Sequence, residues 1–420
     1  MGSVVGRPSR RPSPGPGEDA TRTTRISDPL RERRLVWWAQ FCCAMGQGMG
    51  AILLTWLVLE GSHGAASIGL CIAAGLLPLG VGAAVASRRA ERHDRRLLLV
   101  GAQALLCLVA LGLFTLGRPA LAVIAGAALL SGLARVAFDA TAMSVLHHLV
   151  DEARLPSAAR DLTTRFHVGH LCGAALVAAL VPAVAPHEMF GVCALVFATG
   201  ALVSSRHHPD IDLRPGSRPA LDSALPWGSR ALFGEARLRP LAIATVAAGV
   251  SAGGAAALVV PYLRDDLRLG SHVGLVFLSG VAALAAAMLV LPRLVQTIPW
   301  QVLAACALAA QPVALAVLGL AGSTSEAAVG YGALLAAGAV LGIVINQRRT
   351  SVVADELRVP VGLAGGVLSA RAVALGALVV GAASIPLGEQ RAYLALALAG
   401  AVAGVAAYLS ARLPAARRPA

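Results

Sequence analysis

The sequence predicts an all-α integral membrane protein, with twelve transmembrane helices in two pseudo-symmetric six-helix bundles. Three observations carry this. First, 57% of the 420 residues are hydrophobic and 14% charged, with mean hydropathy +0.73. A water-soluble chain of this length could not hide so much apolar surface, whereas a bilayer solvates it. Second, the chain spells itself twice. Asp151-Glu152-Ala153-Arg154-Leu155-Pro156 recurs 204 residues later as Asp355-Glu356-Leu357-Arg358-Val359-Pro360. Gly69-Leu70 with Gly75, and Arg88, recur 205 residues later as Gly274-Leu275 with Gly280, and Arg293. Third, the 35 basic residues, all of them Arg, segregate to alternate loops. With both termini cytoplasmic, the outer loops hold only Arg118, Arg264, Arg268 and Arg391, which is the positive-inside bias. An odd helix count would break this segregation.

Residues 1–34, rich in Arg, Pro, Ser and Gly, read as a disordered basic cytoplasmic tail that orients the first helix and can touch anionic lipid. The first apolar run is too long for a cleavable signal and lacks a small-residue cleavage pattern. The first bundle, 35–205, holds spans at 35–59, 66–87, 97–117, 120–146, 164–186 and 188–205, each about 20 apolar residues bounded by a polar loop. Residues 206–237 turn polar and carry Pro209, Pro215, Pro219 and Pro226, so they form the cytoplasmic linker. The second bundle, 238–412, holds spans at 240–262, 272–292, 299–320, 327–347, 361–385 and 391–411. Residues 413–420 are a short cytoplasmic tail.

Glycines four apart, such as Gly46 and Gly50 or Gly400 and Gly404, suit close helix packing in lipid and do not require a dimer; the chain is read as a monomer. The seven cysteines fall inside spans without metal spacing and read as packing residues. The net charge of +13 follows from topology and needs no nucleic acid. Duplicated halves of six spans are the pattern of secondary transporters, whose site lies between the halves.

The loop Ser87-Arg88-Arg89-Ala90-Glu91-Arg92-His93-Asp94-Arg95-Arg96 resembles that of the major facilitator superfamily, which reads Gly-x-Leu-Ala-Asp-Arg-x-Gly-Arg-Arg in this position. It keeps an acid at Glu91 and bases at Arg92, Arg95 and Arg96, and departs at Ser87, Arg89, Glu91 and Asp94. The stretch Ser144–Ala174 is similar to the fourth-to-fifth helix region of the superfamily's drug and siderophore exporters. The resemblance implies a plasma-membrane transporter working by alternating access, exporting a drug-, macrolide- or siderophore-type compound and coupled to protons. It also implies a cytoplasmic latch of Glu91, Arg92, Arg95 and Arg96 with Asp151, Arg154, Asp355 and Arg358. Such contacts are worth about 0.3–1 kcal/mol each at exposed sites, enough to bias one conformation without locking it. The alternative is that these charges only set topology. Exporters often carry Gly-Pro-x-x-Gly-Gly on the fifth helix. Here Gly169-His170-Leu171-Cys172-Gly173-Ala174 lacks the Pro and the last Gly, a departure that favours uptake instead.

An ionisable side chain at the bilayer centre costs at least about 2.5–3.5 kcal/mol, so those left in spans are site candidates. Arg135 and Asp139 are four apart, share a helix face and can neutralise each other. If Asp139 lost this partner it could take a proton, which would couple transport to a proton gradient; equally, the pair could simply brace span four. His167 and Arg371 occupy equivalent places in the repeat. Either can contact an anionic substrate, or, placed a few residues into its span, reach back to the interface. His170, Gln40, Gln47 and Thr55 complete the candidate cavity lining, with packing hydrogen bonds as the alternative for span one.

His147 and Asp151 have an acyltransferase-like spacing, but the Asp belongs to the repeated loop. There is no His-Glu-x-x-His, and no Lys from which to build a phosphate loop. The sequence thus points away from an enzyme, from ATP-driven transport and from any cofactor. The mostly apolar cavity suits an amphipathic or lipophilic small molecule. A polytopic lipid-acting enzyme or sensor would need a catalytic cluster or a sensor domain.

Overall fold

The computed structural model describes residues 29–61, 64–79, 82, 94–150, 154–181, 183–207, 221–269, 272–353 and 355–412. Among them are thirteen α-helices and no strand: α1 Pro29–Glu60, α2 Ala65–Leu76, α3 Arg95–Leu116, α4 Leu121–Leu149, α5 Leu155–Leu180, α6 Pro186–Ser204, α7 Leu221–Gly234, α8 Arg239–Pro261, α9 Val273–Thr297, α10 Trp300–Gly319, α11 Thr324–Ser351, α12 Asp355–Leu387 and α13 Glu389–Arg412. Ten are long and apolar enough to cross a bilayer. The others are α2, which is shorter; α5, which carries Arg160, Asp161 and Arg165; and α7, which lies between the bundles. Six helices precede α7 and six follow it.

Two starts differ from the spans that hydropathy marks, for one reason. α1 begins at Pro29, inside the segment read as a basic tail, and α5 begins at Leu155, nine residues before the expected 164. Each opens with Pro in its first turn, where a missing N–H costs nothing. The charges early in these helices meet partners elsewhere in the first half, Glu32 with His207 and Arg33 with Asp161, which no hydropathy window registers. The expected linker also contains a helix: α7 lays Gly228 against Pro360 and Ala364 of α12 and leaves Trp227, Arg230 and Phe233 exposed.

Helix starts elsewhere follow local chemistry. Asp94 caps α3, accepting from the backbone N–H of Arg96 at 2.8 Å and of Leu97 at 3.4 Å. At α11, Ser323 Oγ accepts from Glu326 N–H at 3.3 Å while Glu326 accepts from Gly322 N–H at 2.7 Å, a reciprocal cap.

The packing repeats with the sequence. α1 packs on α5 as α8 packs on α12, α2 on α4 as α9 on α11, and α3 on α6 as α10 on α13. Between halves, α2 packs on α12 and, by the same exchange, α9 on α5. The end of the bundle where α1 starts, α6 stops and α8 starts is here the linker end; the opposite end is the far end. The halves approach closely at the far end. There Gly69 of α2 lies against the Ala377 carbonyl of α12, and its repeat counterpart Gly274 of α9 against the Ala178 carbonyl of α5, with no room for a Cβ at either. One buried apolar cluster runs through the first half and the far-end turns of the second, joining Leu57 and Ile68 to Val260, Val276 and Leu318. At the linker end the second half keeps its own cluster of Leu232, Leu241, Leu341, Ile345 and Val361.

One buried polar contact closes the first half at the linker end. Glu32 of α1 and His207, just past α6, meet at 2.6 Å between carboxylate and Nδ1, each side chain 1% exposed. With His207 neutral, Nδ1–H donates to the carboxylate and the buried Nε2, which has no partner, carries the lone pair. Burial pushes the imidazole below its ordinary value against the opposing pull of Glu32, and Arg96 pushes it further. The folded state therefore favours neutral His207, and the contact is complete above about pH 6.5 and weakens as pH falls below it. The melting temperature should accordingly drop between about pH 7.5 and about pH 5.5, and His207→Gln should flatten that dependence; an equal drop in the variant would assign it to other groups.

Candidate functional site

Three helices of the first half bring polar groups to one depth. Gln40 lies eleven residues into α1, Phe166 eleven into α5, and Asp139 ten from the linker end of α4, so all sit about 15 Å from the linker end at 1.5 Å per residue. In helices of 26, 29 and 32 residues, about 39–48 Å long, that level lies in the half nearer the linker end, inside a bilayer core about 30 Å thick. Asp139 Oδ2 lies 3.6 Å from Arg135 Nε, one turn away on the same face. The Gln40 side chain of α1 faces the Asp139 carboxylate. The Arg135 guanidinium sits 5.2 Å from the Phe166 ring centroid, and that ring is flanked by His167 at 5.4 Å and His170 at 5.8 Å.

The Arg135 and Asp139 side chains are 31% and 38% exposed at mid-helix. In a membrane-spanning helix such exposure means a water-accessible cavity, because lipid would not tolerate either charge. A partly solvated pair at 3.6 Å contributes at most about 1 kcal/mol. It can therefore open without threatening the fold. Around it are unused bonding groups: the buried Gln47 Oε1 and His170 Nδ1 have no protein partner, while Gln47 Nε2 points to Cys43 Sγ at 3.1 Å.

Other residues singled out in the sequence lie elsewhere. Thr55 is buried and bonds the Ala51 carbonyl at 3.0 Å, a packing role toward the far end. Arg371 is exposed near the middle of α12, in the other half. α5 starts earlier than hydropathy marks, so His167 is the thirteenth residue of its helix, with its ring 5.4 Å from that of Phe166. Among the latch residues, Arg95 is buried and Arg96 half-buried at the start of α3, and Arg154 is exposed just before α5. Glu91, Arg92 and Asp151 lie outside the described residues, as do the side chains of Asp355 and Arg358. Among the described residues no group of His, Cys, Asp or Glu is placed to hold a metal.

Two further charged arrangements were not singled out in the sequence. Arg33 and Arg165 lie with Cζ at 4.2 Å and 4.3 Å from the centroid of the Trp37 ring, and Arg33 Nη2 donates to Asp161 at 3.4 Å. Four-residue spacings, Arg33 to Trp37 and Asp161 to Arg165, were the available signal, but each straddled an expected boundary, with Arg33 and Asp161 in tail and loop and Trp37 and Arg165 in the spans 35–59 and 164–186. In the second half Arg349, 4% exposed, donates from Nη2 to Thr245 Oγ1 at 2.8 Å and packs on Gly365.

The chain belongs to the Major Facilitator Superfamily, whose family description matches residues 36–356. Solved structures of transporters share its fold. A nucleoside transporter, NupG, in a variant form, superposes with a TM-score of 0.76 at 12% identity, covering 91% of this chain and 99% of that one. A bacterial homolog of the human lysosomal transporter Spinster, inward-facing and unoccupied, gives 0.71 at 13%, covering 94% and 100%. A POT family transporter in complex with 5-aminolevulinic acid gives 0.71 at 12%, covering 92% and 97%. At these identities the likeness establishes the fold alone. Among curated proteins no match is found.

If the Arg135–Asp139 pair is a weak contact, the double variant Arg135→Gln/Asp139→Asn should stay within about 1 kcal/mol of the native chain in stability. Thermal melting of purified protein checks this; a loss of several kcal/mol would make the pair a structural brace.

Proposed function

We propose that this chain is a proton-coupled secondary transporter of the plasma membrane, exporting an amphipathic or lipophilic small molecule by alternating access. The observation that carries the proposal is the half-exposed Arg135–Asp139 pair inside the bilayer core, with Gln40, Phe166, His167 and His170 around it. An ionisable pair in that position serves a pathway, since a purely structural helix would be better off without it. Positive-inside segregation makes the linker end cytoplasmic. The tight far-end approaches of Gly69 and Gly274 then correspond to an inward-facing state, with the cavity reached from the cytoplasm.

In that state Asp139 is paired with Arg135 and faces Gln40. When the halves rock and the far end opens, a proton on Asp139 neutralises the carboxylate, and Arg135 is left against Phe166 and the cavity. Substrate and proton thus compete through one ion pair, which is the requirement for antiport. The aromatic and aliphatic walls favour a ligand with an apolar body. Uptake is the second reading. It is favoured by α5, where Gly169–Ala174 lacks the Pro and the terminal Gly found in exporters of the superfamily.

Two outcomes follow. Asp139→Asn should insert and fold normally yet lose substrate-triggered proton movement in everted vesicles; native rates under a pH gradient would remove Asp139 from the mechanism. A cysteine placed in the 206–237 linker should resist membrane-impermeant reagent added outside cells, and strong external labelling would invert the topology.

A further inference from the structure

We infer that Arg33, Trp37 and Arg165 form an anion subsite at the linker-end approach to the cavity, which takes the carboxylate or phosphate group of an amphipathic ligand. Part of the argument is a surplus of donors. Both guanidiniums stand within 4.3 Å of one ring centroid, which puts their Cζ atoms no more than about 8.6 Å apart. Arg33 Nε, Arg165 Nε and Trp37 Nε1 are all buried without a hydrogen-bond partner. Buried donors are almost always satisfied, so three orphans around one ring mark a place where an acceptor belongs.

Charge gives the sign. Among the described residues the two guanidiniums meet one carboxylate, Asp161, which is half-exposed and bonds only Arg33, at a long 3.4 Å. Two cations held against an aromatic face by cation–π attraction, with one weak counter-charge, leave a net positive site with planar donors suited to an oxyanion. Position supplies the ligand's shape. Arg33, Trp37 and Gln40 recur at i, i+4 and i+7 on one face of α1, so the subsite lies one to two turns toward the linker end from the Gln40–Asp139 contact. A molecule whose anionic group rests on Arg165 and Arg33 would project its apolar body toward Phe166. Asp161 then acts as an internal anion that the ligand displaces. The inference rests on reading this cavity as the transport route, and it narrows the cargo to an amphipathic anion. A phospholipid head group presents the same chemistry.

The test is binding without flux. The full chain with Trp38, Trp56, Trp227 and Trp300 replaced by Phe, in phosphatidylcholine nanodiscs, reports on Trp37 by fluorescence while decyl phosphate is titrated. A saturable change is expected, weakened about tenfold in Arg165→Gln, as for loss of one charge-assisted hydrogen bond. Binding should tighten severalfold in Asp161→Asn, a gain that a structural role for Asp161 would not produce. If the Trp-to-Phe protein does not fold, the same titrations on the native background are read as melting-temperature shifts. An equal response to uncharged decyl maltoside, indifference to Arg165→Gln, or weaker binding in Asp161→Asn would overturn the subsite. In discs containing phosphatidylglycerol, a signal already saturated assigns the site to a lipid head group, and one that still titrates assigns it to a diffusible amphiphile; both uphold it. Anion binding that survives alongside absent transport would remove the transport reading and keep the subsite, while transport of decyl phosphate unaffected by Arg165→Gln would do the reverse.

Discussion

Everything in this molecule depends on how two helix bundles can hold together in a solvent as apolar as they are. Lipid tails offer no hydrophobic drive, so helices associate through close van der Waals contact, and closeness requires small residues. Gly69 against Ala377 and Gly274 against Ala178 meet this requirement at the boundary between the halves, at repeat-related positions and at one end. The halves are thus riveted at the far end, and the buried apolar cluster runs across that seam, while the linker-end core of the second half stands separate. Where the rivet sits decides which end of the cavity is reachable, and hence which charges meet water.

Charge placement follows the same logic. In water an ion pair at 3.6 Å is nearly worthless, and in hydrocarbon an unpaired charge is prohibitive. The chain keeps the charges of its helices between these extremes: Arg135 with Asp139, Arg33 and Arg165 on Trp37, Arg349 on Thr245. Each guanidinium has a partner and a spare donor. Such groups are held firmly enough to be placed and loosely enough to be exchanged. Glu32 and His207 differ: their short, fully buried contact ties α1 to the end of α6 and belongs to the scaffold.

Much of the fold was legible because its rules are written in composition and repetition. Apolar runs marked ten of the twelve spans outside the linker, and the recurrence of Asp151–Pro156 at Asp355–Pro360 marked the duplication. What hydropathy could not register is a helix that continues through charges. The first turns of α1 and of α5 read as tail and loop, since Glu32, Arg33 and Asp161 look solvated until their partners are known. That error hid both the Glu32–His207 contact and the Trp37 cluster. Arg135 and Asp139 were found because they stand alone in an apolar run; Gln40 was found, but its partner, Asp139, lies almost a hundred residues away on another helix. Arg349 was missed because it ends a span beside Arg348 and looks like a topology marker, whereas its side chain turns inward to Thr245.

The linker has a consequence for how the chain could be handled as two pieces. Its first residues are fixed to the first half by His207, and α7 is fixed to the second half by the contact of Gly228 with Pro360. Only residues 208–220 join the two attachments, a stretch that can extend to about 45 Å at most. Each end of this stretch is anchored in its own bundle, and the seam between bundles is made by helix contact. Two separately encoded fragments, cut inside 208–220, would each carry a complete six-helix unit with its own closing contact, and their reunion in one membrane would be an assembly of preformed parts.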